Sequence, residues 1–196
     1  ASGNLSVPNT TIDPLELSKQ LKKISNKKIN NVILEASSHG LKQHRLDGLR
    51  FNKGIFTNLS HDHLDYHKTF KDYLNSKLHL FNSLLCKDAT IITDEDIPEY
   101  KKIFKISKQK KFCLETVSNK RGIIKIIKHE YIGEKQCIKI KYKNSVYSII
   151  VNLIGKLQIK NLFMAILAAE GPKLKFKQII SKLNKIQPVK GRLEKV

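Results

Sequence analysis

The feature that most constrains the fold is a short apolar run followed directly by side chains that bind metals and carry protons. Residues 54–58 read Gly-Ile-Phe-Thr-Asn, and residues 61–67 then hold three histidines and two aspartates. A second apolar run, at 32–34, ends in an acid, two hydroxyls and a histidine: Glu35, Ser37, Ser38 and His39. Because parallel strands bring their carboxyl ends to one edge of a sheet, where α/β enzymes bind ligands, the pattern predicts an α/β fold with an active-site crevice.

The first two-thirds of the chain predict alternating helices and strands. Asp13 followed by Pro14 and by Glu16 is typical of a helix start, and apolar residues at helical spacing continue this helix to about Asn26. A second helix is predicted over about 70–85. Apolar runs without strict alternation predict buried parallel strands, at residues 33–36, 55–59, 89–93 and 112–114. We therefore expect a mainly parallel sheet flanked by helices.

After residue 120 the pattern changes to apolar residues alternating with lysine. Residues 123–131, 136–142 and 146–153 have this alternation and are separated by turn-like segments. They predict a small three-stranded antiparallel meander with one solvent-exposed face. Two helices, at about 158–170 and 176–183, are expected after it. The last residues, 188–196, have the character of a linker, so we predict one domain over residues 1–187.

Charge and cysteine content indicate which classes of partner the chain binds and in which cellular compartment it works. The net charge of +20 comes from 37 basic and 17 acidic residues. A nucleic-acid footprint is clustered and rich in arginine, whereas these lysines are spread along the chain, so we predict a solvated basic surface and no nucleic-acid partner. No apolar run approaches the roughly 20 residues that span a bilayer, which predicts no membrane partner. The three cysteines lack metal-ligand spacing and predict buried thiols in the cytoplasm.

The histidine-rich cluster is open to more than one interpretation from the residues alone. Glu35 and His63, each just past a predicted strand, can share a divalent cation, but the cluster can equally be a turn that caps the next helix. The His-x-His-x-Asp-His pattern of binuclear zinc hydrolases is matched by His61, His63 and Asp65 and then fails by one residue, at Tyr66. A shift of one residue changes the direction in which the ligand side chain points. Because zinc sites demand a fixed ligand geometry, this mismatch argues against a binuclear zinc site.

The hydroxyl-rich segment after the first predicted strand suggests substrate binding rather than nucleophilic catalysis. Ser37 and Ser38 lie near His39 and His44 in the sequence, which is compatible with a serine nucleophile and a base. However, the Gly-x-Ser-x-Gly elbow that exposes such a serine is absent. Hydroxyl groups that bind a polar substrate are the favoured interpretation.

Several ordered motifs run through essentially the whole chain. They are Asn9-Thr10-Thr11, residues 13–17, residues 35–41 with Gln43-His44-Arg45, residues 57–60 and 62–67, Tyr73 with Lys77, residues 155–161 with Ala168-Ala169, and Pro188-Val189 with Gly191-Arg192 and Glu194. In type and in order these motifs resemble the Mur ligase family, in its UDP-N-acetylmuramoyl-tripeptide synthetase branch.

The resemblance implies a fold and a reaction. The fold is the family's central ATP-binding domain, and the reaction is an ATP-dependent amide-bond synthesis in the formation of peptidoglycan precursors. A third amino acid, meso-diaminopimelate or L-lysine, is added to the D-Glu carboxylate of UDP-N-acetylmuramoyl-L-Ala-D-Glu through an acyl phosphate, with Mg²⁺ neutralising charge. Folylpolyglutamate synthetase is the closest rival within the family, and the Ser-Ser-His-Gly-Leu and Asn-Thr-Thr stretches argue against it.

The resemblance also implies residue roles. Glu35 and His63 would hold Mg²⁺, and His63 and Lys77 would be the catalytic groups. Lys77 would carry a carbamate that supports a second Mg²⁺. Asn161 would contact adenine and Arg192 the ATP phosphates. The UDP-muramoyl-dipeptide would be bound by Asn9, Thr10, Thr11, Ser37, Gln43 and Arg45.

Two departures from the family pattern change what we expect of this chain alone. The phosphate-binding loop that ends Gly-Lys-Thr or Gly-Lys-Ser is absent from the sequence, and we expect it upstream of Ala1. The domain that selects the incoming amino acid is expected after Val196. In addition, Gln158 replaces the first Asn of the adenine motif. We therefore predict that the isolated chain has no ligase activity and at best weak affinity for nucleotide.

Overall fold

The computed structural model describes residues 11–60, 65–133, 135–153 and 155–186. The chain divides into two compact units. The first contains Ala1–Phe51 and Leu59–Cys86, and the second contains Asn52–Asn58 and Lys87–Val196. Each unit has its own hydrophobic cluster. None of the helices within the described ranges is both long enough and apolar enough to cross a membrane.

The first unit is helical. Its elements are α1 (Pro14–Asn26), α2 (Ser38–Lys42) and α3 (Phe70–His79), and α3 runs into a π-helical turn over Leu80–Leu84. The predicted start of α1 is confirmed, because the Asp13 carboxylate accepts a hydrogen bond from the backbone N–H of Leu15 at 2.9 Å. A cluster of buried leucines joins these elements, at positions 17, 41, 46 and 84. Full burial of a leucine contributes about 1.5–3 kcal/mol.

The predicted strand over residues 33–36 is wrong. Residues 29–37 have no regular secondary structure, and Ile33 is 97% exposed while Val32 is 44% exposed. A strand requires a neighbouring strand that satisfies its backbone N–H and C=O groups, and no described residue supplies one here. The following strand is also displaced from its predicted position, since it covers Phe51–Phe56 rather than 55–59.

The second unit contains a six-stranded sheet in the order β1-β2-β3-β4-β5-β6. The sheet is parallel from β2 through β4 and antiparallel from β4 through β6. The α/β class is therefore confirmed, and the predicted meander is continuous with the parallel part. The strands are β1 (Phe51–Phe56), β2 (Leu85–Asp94), β3 (Cys113–Ser118), β4 (Ile124–Ile132), β5 (Lys135–Tyr142) and β6 (Ser145–Val151).

Three helices accompany this sheet: α4 (Tyr100–Lys110), α5 (Lys156–Ala169) and α6 (Phe176–Ile180). The apolar face of α5 packs on the sheet, with Phe163 fully buried in the same cluster as Ile138 and Ile140. The sequence did not predict α4. Ile103 and Ile106 are its buried apolar residues, and among so many lysines they form too sparse a stripe for the helical period to stand out.

The prediction of buried thiols is wrong in part. All three cysteines are free, but Cys113 is exposed, and Cys86 and Cys137 are only partly covered. Cys113 is the first residue of β3, whose burial rises only towards its carboxyl end. Its thiol is therefore accessible to solvent.

Candidate functional site

A network of short hydrogen bonds joins Thr11 to the predicted substrate segment. Thr11 is 3% exposed, and its hydroxyl donates to the carbonyl oxygen of Glu35 at 3.0 Å. The hydroxyl oxygen of Thr11 also accepts the backbone N–H of Ser37 at 2.9 Å and lies 2.8 Å from the Ser37 hydroxyl oxygen. The Arg45 guanidinium donates to the carbonyl oxygen of Thr11 at 2.7 Å. Three of the predicted substrate-binding residues, Thr11, Ser37 and Arg45, are thus brought together with Glu35.

The close approach of Thr11 depends on Gly40. Ser37 is the N-cap of α2, and its hydroxyl oxygen accepts the backbone N–H of Gly40 at 3.1 Å. A Cβ atom at position 40 would lie 2.6 Å from the Cβ of Thr11, closer than van der Waals contact allows. The Ser-x-x-Gly spacing therefore caps a short helix and leaves room for Thr11 against it.

Glu35 has chemistry that suits a hard cation. It lies on the irregular segment before α2 and is exposed, and carboxylate oxygens are the ligands that Mg²⁺ prefers. Its predicted partner His63 lies outside the described residues, as do Asn9, Thr10 and Arg192. The pairing of Glu35 with His63 therefore stays a prediction.

An aromatic cluster links α2 to the start of α3. His67 is fully buried, and its ring stacks on Tyr73 with centroids 4.9 Å apart. His39 of α2 lies 4.0 Å from the Tyr66 ring and 5.5 Å from the His67 ring. The Gln43 side-chain amide donates to the Tyr66 hydroxyl at 2.9 Å. Gln43, the fourth described residue of the predicted substrate set, thus contacts a residue of the histidine-rich segment 61–67.

Lys77 lies on α3, one turn after Tyr73. Its ammonium nitrogen is 5.2 Å from the centroid of the Tyr73 ring, within the range of a cation–π interaction. An ammonium group has no lone pair to offer a metal ion. Lys77 therefore fits the metal-supporting role implied by the resemblance only if its nitrogen is converted to a carbamate.

Burial and the nearby charge of Lys42 together lower the pKa of His67. Asp72 forms an ion pair with Lys42, and the hydrogen bond from Lys42 lowers the pKa of the Asp72 carboxyl. Burial, followed by the positive charge of Lys42, lowers the pKa of His67, although Asp72 at 3.7 Å opposes this. Neither ring nitrogen of His67 has a hydrogen-bond partner among the described groups.

We expect the buried imidazole of His67 to make the protein acid-sensitive. Because the pKa of His67 is lower in the folded state than its ordinary value of 6.5, the unfolded chain takes up a proton first as the pH falls. The free energy of unfolding should therefore decrease as the pH drops below 6.5, at higher pH than the range in which aspartates titrate. Urea unfolding between pH 7.5 and pH 5 measures this slope.

Two variants isolate the contribution of this residue. His67→Phe keeps a ring on Tyr73 and His67→Gln keeps a polar group, yet neither titrates in this pH range. Both should show a smaller loss of stability with falling pH than the wild type, whatever their absolute stabilities. A wild-type slope in both variants would show that another group is responsible.

In the second unit, the predicted adenine contact Asn161 lies on α5 beside a partly buried ion-pair network. The Lys160 ammonium is 2.8 Å from Asp94 Oδ1 and 2.6 Å from Asp96 Oδ2, which ties α5 to the carboxyl end of β2. The Ser118 hydroxyl also donates to Asp96, at 2.7 Å. Burial disfavours the charged form of Asp96, but the hydrogen bond from Lys160 and those from the β3 end outweigh it and lower its pKa.

A cavity of about 540 Å³ opens beside this network, lined by residues 95, 96, 100 and 118–121. Its volume is within the usual range for small-molecule sites. This network could not be predicted from the sequence, because Lys160 lies 64 residues after Asp96 in the chain.

The family of this chain is decided by comparison with known proteins. Residues 2–169 match the family model described as the Mur ligase middle domain. The chain belongs to the Mur ligase family. The relationship expected from the ordered motifs is thereby confirmed, and the Mur ligase comparisons extend along the chain beyond the matched residues.

Relatives of this Mur ligase chain share about a third of its residues. A protein of Rickettsia bellii (strain RML369-C), named UDP-N-acetylmuramoyl-L-alanyl-D-glutamate--2,6-diaminopimelate ligase, is 38% identical over 188 residues, which are 95% of this chain and 39% of the relative. A protein of the same name from Zymomonas mobilis is 34% identical over 198 residues, covering 100% of this chain and 40% of the relative. The chain therefore spans about two-fifths of the length of these Mur ligases.

Solved structures agree with this assignment. A structure of a UDP-N-acetylmuramoyl-L-alanyl-D-glutamate--2,6-diaminopimelate ligase superposes with a TM-score of 0.84 at 26% identity, covering 98% of this chain and 40% of that one. An FPGS variant from L. casei superposes with a TM-score of 0.57 at 18% identity, covering 74% of this chain and 36% of that one. The second likeness shows a shared fold alone.

Proposed function

We propose that this chain is the central domain of an ATP-dependent ligase that joins 2,6-diaminopimelate to the D-Glu carboxylate of UDP-N-acetylmuramoyl-L-Ala-D-Glu. The observation that carries the proposal is that relatives 34–38% identical over nearly the whole chain are named for this reaction. L-lysine, the other amino acid that the sequence left open, is an outcome that the assay distinguishes.

The proposed reaction has two steps. The D-Glu carboxylate oxygen attacks the γ-phosphorus of ATP, and the bond to the β-phosphate oxygen breaks to release ADP. The amine of the incoming amino acid then attacks the carbonyl carbon of the acyl phosphate, loses a proton and expels inorganic phosphate. The first step joins two anions, and bound Mg²⁺ would supply the positive charge that this requires.

The substrate contacts are assigned to the Thr11 network and its neighbours. Arg45 has five N–H donors, and the one that binds the carbonyl oxygen of Thr11 fixes the plane of the guanidinium. The remaining donors suit a phosphate or a carboxylate of the UDP-muramoyl-dipeptide. Ser37 and Gln43 are held at the two ends of α2 and would present neutral polar groups to the sugar or the peptide. Asn9 and Thr10 precede Thr11 and complete the proposed set.

The proposed catalytic groups are Lys77 and His63, with Glu35 and His63 as ligands for Mg²⁺. Glu35 supplies a hard carboxylate oxygen, as noted above. For Lys77, the ammonium group first loses a proton, the neutral amine then attacks the carbon of CO₂ to form a nitrogen–carbon bond, and a second proton is released. Over the two proton losses the side chain changes from a cation to an anion, gains two oxygen ligands and gives up its interaction with the Tyr73 ring.

The proposed nucleotide contacts are Asn161 for adenine and Arg192 for the ATP phosphates. Asn161 lies on α5 directly after Lys160, whose ion pairs with Asp94 and Asp96 hold that helix to the end of β2. This support would keep the Asn161 amide in a fixed position relative to the sheet of the second unit. Gln158, one turn earlier on α5, replaces the asparagine that the family motif has there.

The test is a ligase assay on a polypeptide that carries this domain together with the segments its relatives have outside the matched region. We expect amide product from ATP, Mg²⁺, UDP-N-acetylmuramoyl-L-Ala-D-Glu and diaminopimelate, and much less with L-lysine. Product with L-lysine but not with diaminopimelate would show that L-lysine is the amino acid added. Product with a folate acceptor instead of the UDP-sugar would overturn the proposal.

A matched pair of variants tests the metal assignment in the same polypeptide. Glu35→Gln keeps the size of the side chain but removes the charge, so we expect a loss of Mg²⁺-dependent activity of about a hundredfold or more. Glu16→Gln, on α1, removes the same charge at a carboxylate that accepts a hydrogen bond from the Gln20 side chain, and it should leave activity within about twofold. Equal activity of the two variants would refute the role of Glu35.

A further inference from the structure

A second group of metal-binding side chains lies in the first unit and has no role in the proposed reaction. It consists of His44, Asp47 and His79. The Nδ1 atom of His44 is 2.9 Å from Asp47 Oδ2, and the Nε2 atom of His79 is 2.8 Å from Asp47 Oδ1. One ligand atom from each residue can be chosen so that all lie within 4.8 Å of one another. The two imidazoles therefore share one carboxylate, and their rings meet edge to face at 5.0 Å.

We propose that His44, Asp47 and His79 form a binding site for a borderline divalent transition-metal ion such as Zn²⁺. Two imidazole nitrogens and one carboxylate oxygen are a donor set that suits Zn²⁺, Co²⁺ or Ni²⁺, whereas Mg²⁺ requires oxygen ligands in an octahedron. Three protein ligands leave at least one position for water, as in open zinc sites.

The spacing of the three side chains suits such an ion after a small adjustment. Zinc lies about 2.0–2.2 Å from nitrogen and oxygen ligands, so neighbouring ligand atoms in a tetrahedral site are about 3.3–3.5 Å apart. The nitrogen–oxygen distances of 2.8 and 2.9 Å need to open by about half an ångström. Each imidazole proton that now faces Asp47 moves to the other ring nitrogen by a change of tautomer, so the ion takes the place of two hydrogen-bonded protons.

Two packed elements hold the ligands at this spacing. His44 and Asp47 lie on a turn anchored by Leu46, which is 1% exposed, and His79 follows Leu78, which is 5% exposed, at the end of α3. His44 adopts a left-handed backbone conformation with φ of 56°, which is uncommon for a residue with a side chain. This conformation directs the turn so that residues 44 and 47 both face α3.

A bound ion at this position would fasten two parts of the first unit. His44 lies between Gln43 and Arg45, which we assign to the substrate, and His79 lies two residues after Lys77. The ion would cross-link the turn that holds the proposed substrate contacts to the helix that carries Lys77. The proposal concerns metal binding by the chain itself and stands whether or not the proposed ligase activity is found.

Titration of the tag-free chain with Zn²⁺ and with Co²⁺ tests the proposal. We expect one equivalent to bind, in the presence of excess Mg²⁺, and the visible absorption of bound Co²⁺ to report nitrogen and oxygen ligands. His44→Gln, Asp47→Asn and His79→Gln should each weaken Zn²⁺ binding by at least about tenfold, because even outer-shell changes at metal sites cost about 10- to 100-fold.

Two control variants separate this site from other metal-binding groups. Cys113→Ser removes an exposed thiol and His63→Gln removes the proposed Mg²⁺ ligand, and both should retain wild-type Zn²⁺ affinity. Asp47→Asn keeps the shape of the side chain and removes its charge, and circular dichroism can confirm that the variant folds. Zn²⁺ affinity that is unchanged in Asp47→Asn and in both histidine variants, or lost in either control, would overturn the proposal.

Discussion

Replacement of Lys77 by arginine is expected to lower kcat by about a hundred- to a thousandfold in the polypeptide proposed for the ligase assay, which carries this domain and the further segments of its relatives. This is the range found when one electrostatic contact to a transition state is removed. Arginine preserves the positive charge and can keep the interaction with the Tyr73 ring, 5.2 Å from the present ammonium. Its guanidinium cannot form a carbamate at neutral pH, because it stays protonated. The variant therefore separates a carbamate from a simple cation.

Two further measurements sharpen this prediction. Lys71→Arg makes the same exchange at an exposed position on α3 and should leave kcat within about twofold of the wild type. Lys77→Ala, which leaves space where the side chain was, should regain part of its activity when a small carboxylate such as formate is added. Full activity of Lys77→Arg would show that position 77 acts as a cation and would remove the carbamate from the proposed mechanism.

Replacement of Lys160 by methionine is expected to lower the free energy of unfolding by about 3 kcal/mol. Lys160 and Asp94 have side chains only 12% and 9% exposed, and Asp96 is 27% exposed. Loss of the ammonium leaves two carboxylates close together with little solvent, and breaking a buried pair in this way costs about 3–5 kcal/mol. We take the lower end because water reaches Asp96. Urea unfolding at pH 7 gives the value.

The control and the rescue variant use the same helix and the same network. Lys156→Met removes an exposed lysine from the first turn of α5, where a lone surface charge contributes little, so its effect should be below about 0.5 kcal/mol. Adding Asp94→Asn and Asp96→Asn to Lys160→Met removes the unpaired charges and should restore part of the loss. Equal stability of Lys160→Met and Lys156→Met would show that solvent already screens the network.

The sequence predicted well those elements whose signals are local. The start of α1 depends on Asp13, Pro14 and the capped backbone within one turn. The meander of β4, β5 and β6 depends on apolar residues interspersed with lysine and on short turns between neighbouring strands. In both cases the interacting groups lie within a few residues of one another or on adjacent strands, so the pattern of residue types is enough to predict them.

The predictions that failed concern elements defined by distant partners. Residues 33–36 have the composition of a buried strand, but a strand exists only through the neighbour that it pairs with, and Ile33 is 97% exposed. The helix α4 was missed because two buried isoleucines packed by tertiary contacts sufficed to hold a lysine-rich segment. Composition cannot report such contacts.

The chemistry of the candidate site divides in the same way. By itself, the sequence carried the resemblance to the family, which comparison with known proteins confirmed, because the order and spacing of the motifs around Thr11, Glu35 and Lys77 are properties of the chain alone. Only the tertiary structure decided that Thr11 bridges Glu35 and Ser37, that Asp47 joins His44 to His79, and that Lys160 neutralises Asp94 and Asp96. Each of these networks includes a contact between elements far apart in the chain, and folding, not residue order, sets the distance between the atoms of that contact.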